Sequence, residues 1–188
     1  MVSSDPALLQ LPGVPAAFNP LGLGTWAWGD ESTWGMGGYD TALTEATIAE
    51  AFEASVASGV NLIDTAEGYG DGESERIIGR LLRSGTVERD GLVIATKFIP
   101  MPWKLNVGTA LRSACEASLT RLGIDTIDLY QLHGPISLRS LAALADALAE
   151  VHEAGLVRAV GVSNYSIREM GTIYAHLASR GVPLATNQ

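Results

Sequence analysis

At 188 residues, with 47% hydrophobic and 18% charged residues, the chain has the composition of one packed globular domain and not of a disordered segment. Its formal net charge is −9, and no cluster of Lys or Arg offers the positive footprint that a nucleic acid needs. One cysteine, Cys115, excludes an internal disulfide, the spacing of possible ligands resembles no zinc site, and the longest apolar runs fall far short of a bilayer span.

Residues 1–18 hold Asp5, three prolines and no Lys or Arg, unlike a signal or transit peptide. A soluble intracellular protein, cytoplasmic or plastid, is the expectation. Leu21-Gly-Leu-Gly-Thr-Trp26 reads as a short strand whose glycines admit a neighbouring backbone or ligand. From Trp26 to Tyr39, three tryptophans and four glycines follow no helical or strand period. This loop is either a shaped wall beside a site or a hydrophobic plug packed on the sheet.

A helix is predicted from residue 40 or 41, with Ile48, Ala51, Phe52, Ser55 and Val56 on one stripe and Gly59 as its stop. Strand 60–64 follows, then a turn around Gly68-Tyr-Gly-Asp-Gly72, then helix 74–83 with Ile77, Ile78, Leu81 and Leu82 turned inward. Strand 92–96 comes next. Leu111, Cys115, Leu119 and Leu122 mark a third helix ending at Gly123, in which Cys115 is a small core residue. Strand 126–132 precedes a helix built on Leu141, Leu144, Ala145, Leu148 and Val151, with Gly155 at its end. Strand 157–162 leads to a helix opened by a Ser166/Glu169 capping box and a Tyr165/Met170 staple, and closed by Gly181. Residues 182–188 begin a sixth strand.

Strands alternating with helices predict a parallel α/β architecture, of which about five and a half units are present against the eight of a closed barrel. In such a fold every strand points its carboxyl end to one face, where barrel enzymes place their chemistry. Three apolar runs finish in Asp64, Lys97 and His133, and a glycine-flanked turn presents Tyr69. Each has a plainer role open to it: Asp64 as a turn or cap acid, Tyr69 as a loop aromatic, Lys97 as a solvated cation, His133 as a strand terminator. Four polar types at three successive strand ends are not what core packing asks for.

Together they form an acid–base set. A phenol with an ordinary pKa near 10 is phenolate in about one molecule in a thousand at neutral pH. An adjacent ammonium is expected to lower that value, with Lys97 the candidate and Asp64 keeping the lysine charged. His133 can donate to a substrate oxygen. No side-chain nucleophile stands beside these groups, so an external reagent must attack the substrate.

Leu23-Gly-Thr-Trp26, Asn61-Leu-Ile-Asp-Thr-Ala-Glu-Gly-Tyr69, Ala95-Thr-Lys97, Asp128-Leu-Tyr-Gln-Leu-His133 and Val160-Gly-Val-Ser-Asn-Tyr165, in this order across nearly the whole chain, resemble the aldo-keto reductases. The resemblance implies a (β/α)8 TIM barrel that reduces a small-molecule aldehyde or ketone with NADPH. It implies Tyr69 as general acid, Lys97 and Asp64 tuning it, and His133 orienting the substrate. It also implies that Ser163, Asn164 and Gln188 hold the nicotinamide carboxamide, with Gly24, Thr25 and Asp64 beside the cofactor. Gly24-Thr-Trp-Ala-Trp-Gly29, Lys97-Phe with Pro102-Trp103, and the run from Gly155 to Asn164 are similar to the plant and algal plastid-type branch that includes pyridoxal reductase, so pyridoxal-like substrates are expected.

Residues 1–188 are thus expected to form a single oxidoreductase domain, incomplete at its C-terminus, with the contacts to the adenosine 2′-phosphate beyond Gln188. The full-length product is expected to be an active reductase and the 188-residue form inactive or poorly folded alone. Two other classes stay open. A non-catalytic cofactor-binding module on this fold, like the reductase-like subunits that accompany ion channels, would keep the tetrad. A carboxylate-pair hydrolase would need a second acid near Asp64, and Glu67, the nearby candidate, reads better as a turn residue.

Overall fold

The computed structural model describes residues 7–30, 40 and 42–188. The elements run β1 (Gly22–Gly24), α1 (Glu45–Ala57), β2 (Leu62–Asp64), α2 (Glu73–Arg83), β3 (Val93–Phe98), α3 (Val107–Leu122), β4 (Ile127–Leu132), α4 (Leu141–Glu153), β5 (Val157–Val162), α5 (Ile167–Ser179) and β6 (Leu184–Asn187). All neighbouring strands pair parallel in sequence order, β1-β2-β3-β4-β5-β6, which makes a half-barrel clothed by helices.

Strand periodicity sorts the side chains into two layers. One layer carries Ile63, Ile94, Phe98, Tyr130, Leu132, Val160 and Val162 into a large core shared with the helices. The other carries Leu62, Val93, Ala95, Leu129 and Ala159 into the concave side of the sheet. Strands buried on both faces must be apolar almost throughout, as these are. The polar exceptions on the concave layer sit at the carboxyl ends: Asp64, Lys97 and Gln131.

The proline-rich lead has a structural task that sequence reading missed. Leu9 and Phe18 exchange antiparallel backbone hydrogen bonds of 2.8 Å, and Leu11, Val14 and Phe18 pack on Val93, Ala95, Leu129 and Ala159. A hairpin thereby closes the amino end of the half-barrel. The first helix also begins later than expected, at Glu45. Asp40 accepts from the Ala42 amide at 2.8 Å in a local turn, and Thr44 caps the helix by exchanging hydrogen bonds with Thr47. A threonine at the third helical position does what Glu or Gln usually does in a capping box. Ile48 and Phe52 are the buried residues of α1, while Ala51 is exposed. Thr41 lies outside the described residues.

The tryptophan-rich loop divides between its two expected roles. Trp28 is a plug, buried edge-on to Phe52 with ring centroids 6.4 Å apart. Trp26 is 53% exposed, just past the carboxyl end of β1, and Trp34 lies outside the described residues. Cys115 is fully buried in the helix-side core, and burial pushes its thiol up to about 12. It is a packing residue.

Candidate active site

Register explains why Asp64 and Lys97 meet. Asp64 lies opposite Ala95 and shares its face of the sheet, and Lys97 is two residues further along the same face. The lysine side chain reaches back to the carboxylate. Its ammonium donates to both oxygens of Asp64, at 2.7 and 2.8 Å, and to the Thr65 carbonyl at 3.0 Å. An ammonium has three protons, so these acceptors saturate it. Lys97 is 2% exposed and Asp64 19% at the side chain, which puts the pair under the floor of the site.

Tyr69 arrives by a tight turn. Residues Tyr69–Gly72 form a 3-10 turn in which Gly70, Asp71 and Gly72 take φ of 56°, 52° and 82°, the left-handed region that costs a residue with Cβ. A Cβ at Gly70 would also lie 2.6 Å from the Gly29 carbonyl oxygen, so this position admits glycine alone. The turn sets the Tyr69 ring 5.3 Å from the Lys97 ammonium and edge-on to His133, centroids 5.6 Å apart. His133 follows β4, its amide donating to the Phe98 carbonyl at 2.8 Å. The four expected residues come together.

Their electrostatics correct one expectation. The Tyr69 phenol is raised above its ordinary value, by burial first and by the Asp64 charge second. The Lys97 ammonium, its charge partly matched by Asp64, does not outweigh them. Burial lowers Lys97 while Asp64 opposes that shift. His133 is also lowered, first by burial and then by the Lys97 charge, with Asp64 opposing. Near neutral pH the site therefore holds a protonated phenol beside a neutral imidazole. The buried His133 Nδ1 has no hydrogen-bond partner among the described residues.

Four of the residues expected around a cofactor stand on the same rim. Gly24 ends β1 opposite Asp64, and a Cβ there would meet nothing within 4 Å among the described residues. Ser163 and Asn164 follow β5, with Asn164 held at φ 64° and its amide nitrogen donating to Ser163 Oγ at 3.0 Å. The Gln188 backbone bonds Asn164 and Val162 at 2.9 and 3.0 Å, closing the strand ends together. Thr25 differs. It is fully buried, and its hydroxyl donates to the Asp64 carbonyl at 3.0 Å, so its side chain faces the interior.

Glu67 is likewise occupied, accepting from the Ile99 amide at 2.8 Å and from Lys104 at 3.2 Å. It anchors the loop after β3 and makes no carboxylate pair with Asp64. Sequence reading missed Ser74 and Thr65, two buried hydroxyls that bond each other at 2.9 Å beneath the site. A serine at the start of a helix reads as a cap, and only tertiary packing discloses its partners.

A parallel half-barrel whose strand ends gather a phenol, an ammonium, a carboxylate and an imidazole has the architecture of the β/α barrel proteins, which place their sites on that face. The chain belongs to the aldo/keto reductase family, whose model matches residues 20–188. It is 41% identical over 184 residues to the chloroplastic pyridoxal reductase of Arabidopsis thaliana, covering 93% of this chain and 49% of that one. It is 40% identical over 161 residues to the aldo-keto reductase YhdN of Bacillus subtilis, covering 82% and 46%. Among solved structures, an aldo-keto reductase of Klebsiella pneumoniae in complex with NADPH superposes with a TM-score of 0.75 at 31% identity, covering 94% of this chain and 56% of that one. The glycerol dehydrogenase of Gluconobacter oxydans superposes at 0.76 with 33% identity, covering 96% and 54%. The chain thus spans about half the length of these relatives. Among the described residues no helix is long and apolar enough to cross a membrane.

Proposed function

We propose that this chain carries the proton-transfer half of an NADP(H)-dependent carbonyl reductase site, with Tyr69 as general acid. The observation that carries the reading is the buried Lys97–Asp64 pair lying under a Tyr69 ring that meets His133 edge-on.

The residues present suit the cofactor. The Ser163 hydroxyl accepts from Asn164 and still holds its own proton, and the Asn164 carboxamide still holds its oxygen. A donor and an acceptor side by side are what a nicotinamide carboxamide requires. Gly24 leaves open space beside Asp64 for a flat ring, and Gln188 stands on the same rim. NADPH, when bound, supplies hydride to the carbonyl carbon.

The chain's own residues then manage the oxygen. Tyr69, held protonated by burial, gives its proton as negative charge develops there. Lys97 stands 5.3 Å from the ring centroid and offsets the charge of the nascent phenolate, while Asp64 keeps the ammonium from losing its proton on burial. His133, neutral by the same burial, directs the carbonyl oxygen toward the phenol. The alcohol leaves with the tyrosine's proton and solvent restores it.

The likeness to a pyridoxal reductase supports pyridoxal and related aromatic aldehydes as the first substrates to try. The test is loss of nicotinamide absorbance with pyridoxal and a panel of aldehydes, using a protein that carries this chain within a complete barrel and its Tyr69→Phe variant. Turnover that disappears in the variant is the expected result. Binding of NADPH without turnover of any aldehyde would move the reading to a cofactor-binding module.

A further inference from the structure

Beneath the site lie three buried hydroxyls in contact with one another. Thr25 spends its single proton on the Asp64 carbonyl oxygen at 3.0 Å. In the arrangement that uses every contact, the 2.7 Å contact between Thr25 and Ser74 runs from Ser74 to Thr25, with the Thr25 carbonyl sharing that proton at 3.1 Å. Ser74 has no second proton, so its 2.9 Å contact with Thr65 runs from Thr65 to Ser74. The order is Thr65, Ser74, Thr25, Asp64 carbonyl. All three hydroxyl residues are fully buried, where such chains polarise one another and unpaired members are costly.

Both ends of this chain bear on Lys97. Asp64, at its receiving end, takes two of the ammonium's protons through its carboxylate, and Thr65, at its giving end, takes the third through its carbonyl. We infer that Ser74, the middle link, is a positioning residue: it locks residues 64 and 65 in the one arrangement that saturates the Lys97 ammonium. The neighbouring Glu75 extends the clamp to the third strand, accepting from Thr96 at 2.6 Å one residue before Lys97. The first turn of α2 therefore fixes the ends of β1, β2 and β3 at once, without touching the space where a substrate would lie. In its activity arm this inference rests on the carbonyl-reductase reading. Its structural arm does not.

Lys97 and Lys104 are the only lysines, so carbon-13 lysine labelling gives two side-chain signals, one of them an internal control tied to Glu67. Removing a hydrogen bond to the charged form lowers an ammonium's titration midpoint. Ser74→Ala is expected to lower the Lys97 midpoint by about half a unit or more while Lys104 stays put. Thr65→Val is expected to do the same, and the double variant to do no more than either. In turnover assays Ser74→Ala is expected to lower kcat about tenfold with little change in KM. An unmoved Lys97 midpoint in both single variants overturns the inference. Should Ser74→Ala fail to fold, Thr65→Val decides alone. If the midpoint moves but a protein carrying this chain within a complete barrel reduces no carbonyl, the reductase reading fails and the positioning role stands; if Tyr69→Phe abolishes turnover there and the midpoint is unmoved, the reverse holds.

Discussion

The two ends of this sheet each bury a carboxylate against a cation, and they do opposite things with it. At the carboxyl end Asp64 saturates Lys97 below two rings, one of which leaves His133 Nδ1 unpartnered. At the amino end Asp128 accepts from Arg89 at 2.6 Å and from the Ile94 amide at 2.8 Å, with Arg158 at 3.3 Å. There the hairpin carrying Leu11, Val14 and Phe18 covers the barrel interior. Buried charge next to an uncovered polar rim is poised for chemistry, whereas buried charge beneath a plug holds strands together.

Removing the phenol breaks that contrast most sharply. Tyr69→Phe keeps the ring and its edge contact with His133 and deletes the only proton the mechanism uses. The expected loss in kcat is about a thousandfold, with NADPH affinity retained when measured by fluorescence titration. A loss under tenfold would take Tyr69 out of the acid's role.

The next effect separates the two members of the upper pair. Lys97 is 2% exposed and Asp64 19%, so a charge stranded on the lysine has less water to turn to. Asp64→Asn is expected to cost about 3–5 kcal/mol in urea unfolding, and Lys97→Met less than that, since the stranded carboxylate regains solvent. Equal costs would mean that exposure does not govern the pair.

The lower pair should respond differently. Asp128→Asn is expected to cost about 2 kcal/mol, because Arg89 and Arg158 are 27% and 41% exposed at the side chain and can rehydrate. Its kcat and KM should stay near those of the parent chain. A specific loss of kcat there would erase the functional distinction between the two ends.

Much of this was legible in the sequence, for identifiable reasons. Elements with one strong period were placed closely: 157–162 matches β5, and the Ser166/Glu169 box opens α5 as expected, with bonds of 3.0 and 3.3 Å. Asp64, Lys97 and His133 could be gathered because parallel strands oblige their ends to share a face. What stayed hidden depends on contacts distant in sequence. The sequence pairs Asp64 with Lys97 beside Tyr69, but the burial that raises the phenol comes from contacts distant in sequence, so the direction of its shift is not legible there. The resemblance places Thr25 beside the cofactor, but that its hydroxyl turns inward to a residue 39 positions away is not legible in the sequence. The hairpin of residues 9–18 has no hydrophobic period, and only its partners across the sheet make it core.

The smallest effect concerns protonation of the upper site. Burial and Lys97 hold His133 below its ordinary value, so the unfolded chain binds this proton at a higher pH than the folded one does. Stability is then fully present above about pH 6.5, the unfolded value, and falls as pH drops through the folded one, at no more than about 1.4 kcal/mol per unit. Tyr69 works in the opposite direction: its raised phenol stabilises the fold below about pH 10 and that contribution is lost as the pH climbs toward the folded value. His133→Gln should flatten the acid slope in urea unfolding and leave the alkaline one, and Tyr69→Phe should do the reverse. If His133→Gln leaves the acid slope as it was, the imidazole is solvated in the folded chain and is not the buried, neutral group that steering a carbonyl oxygen requires.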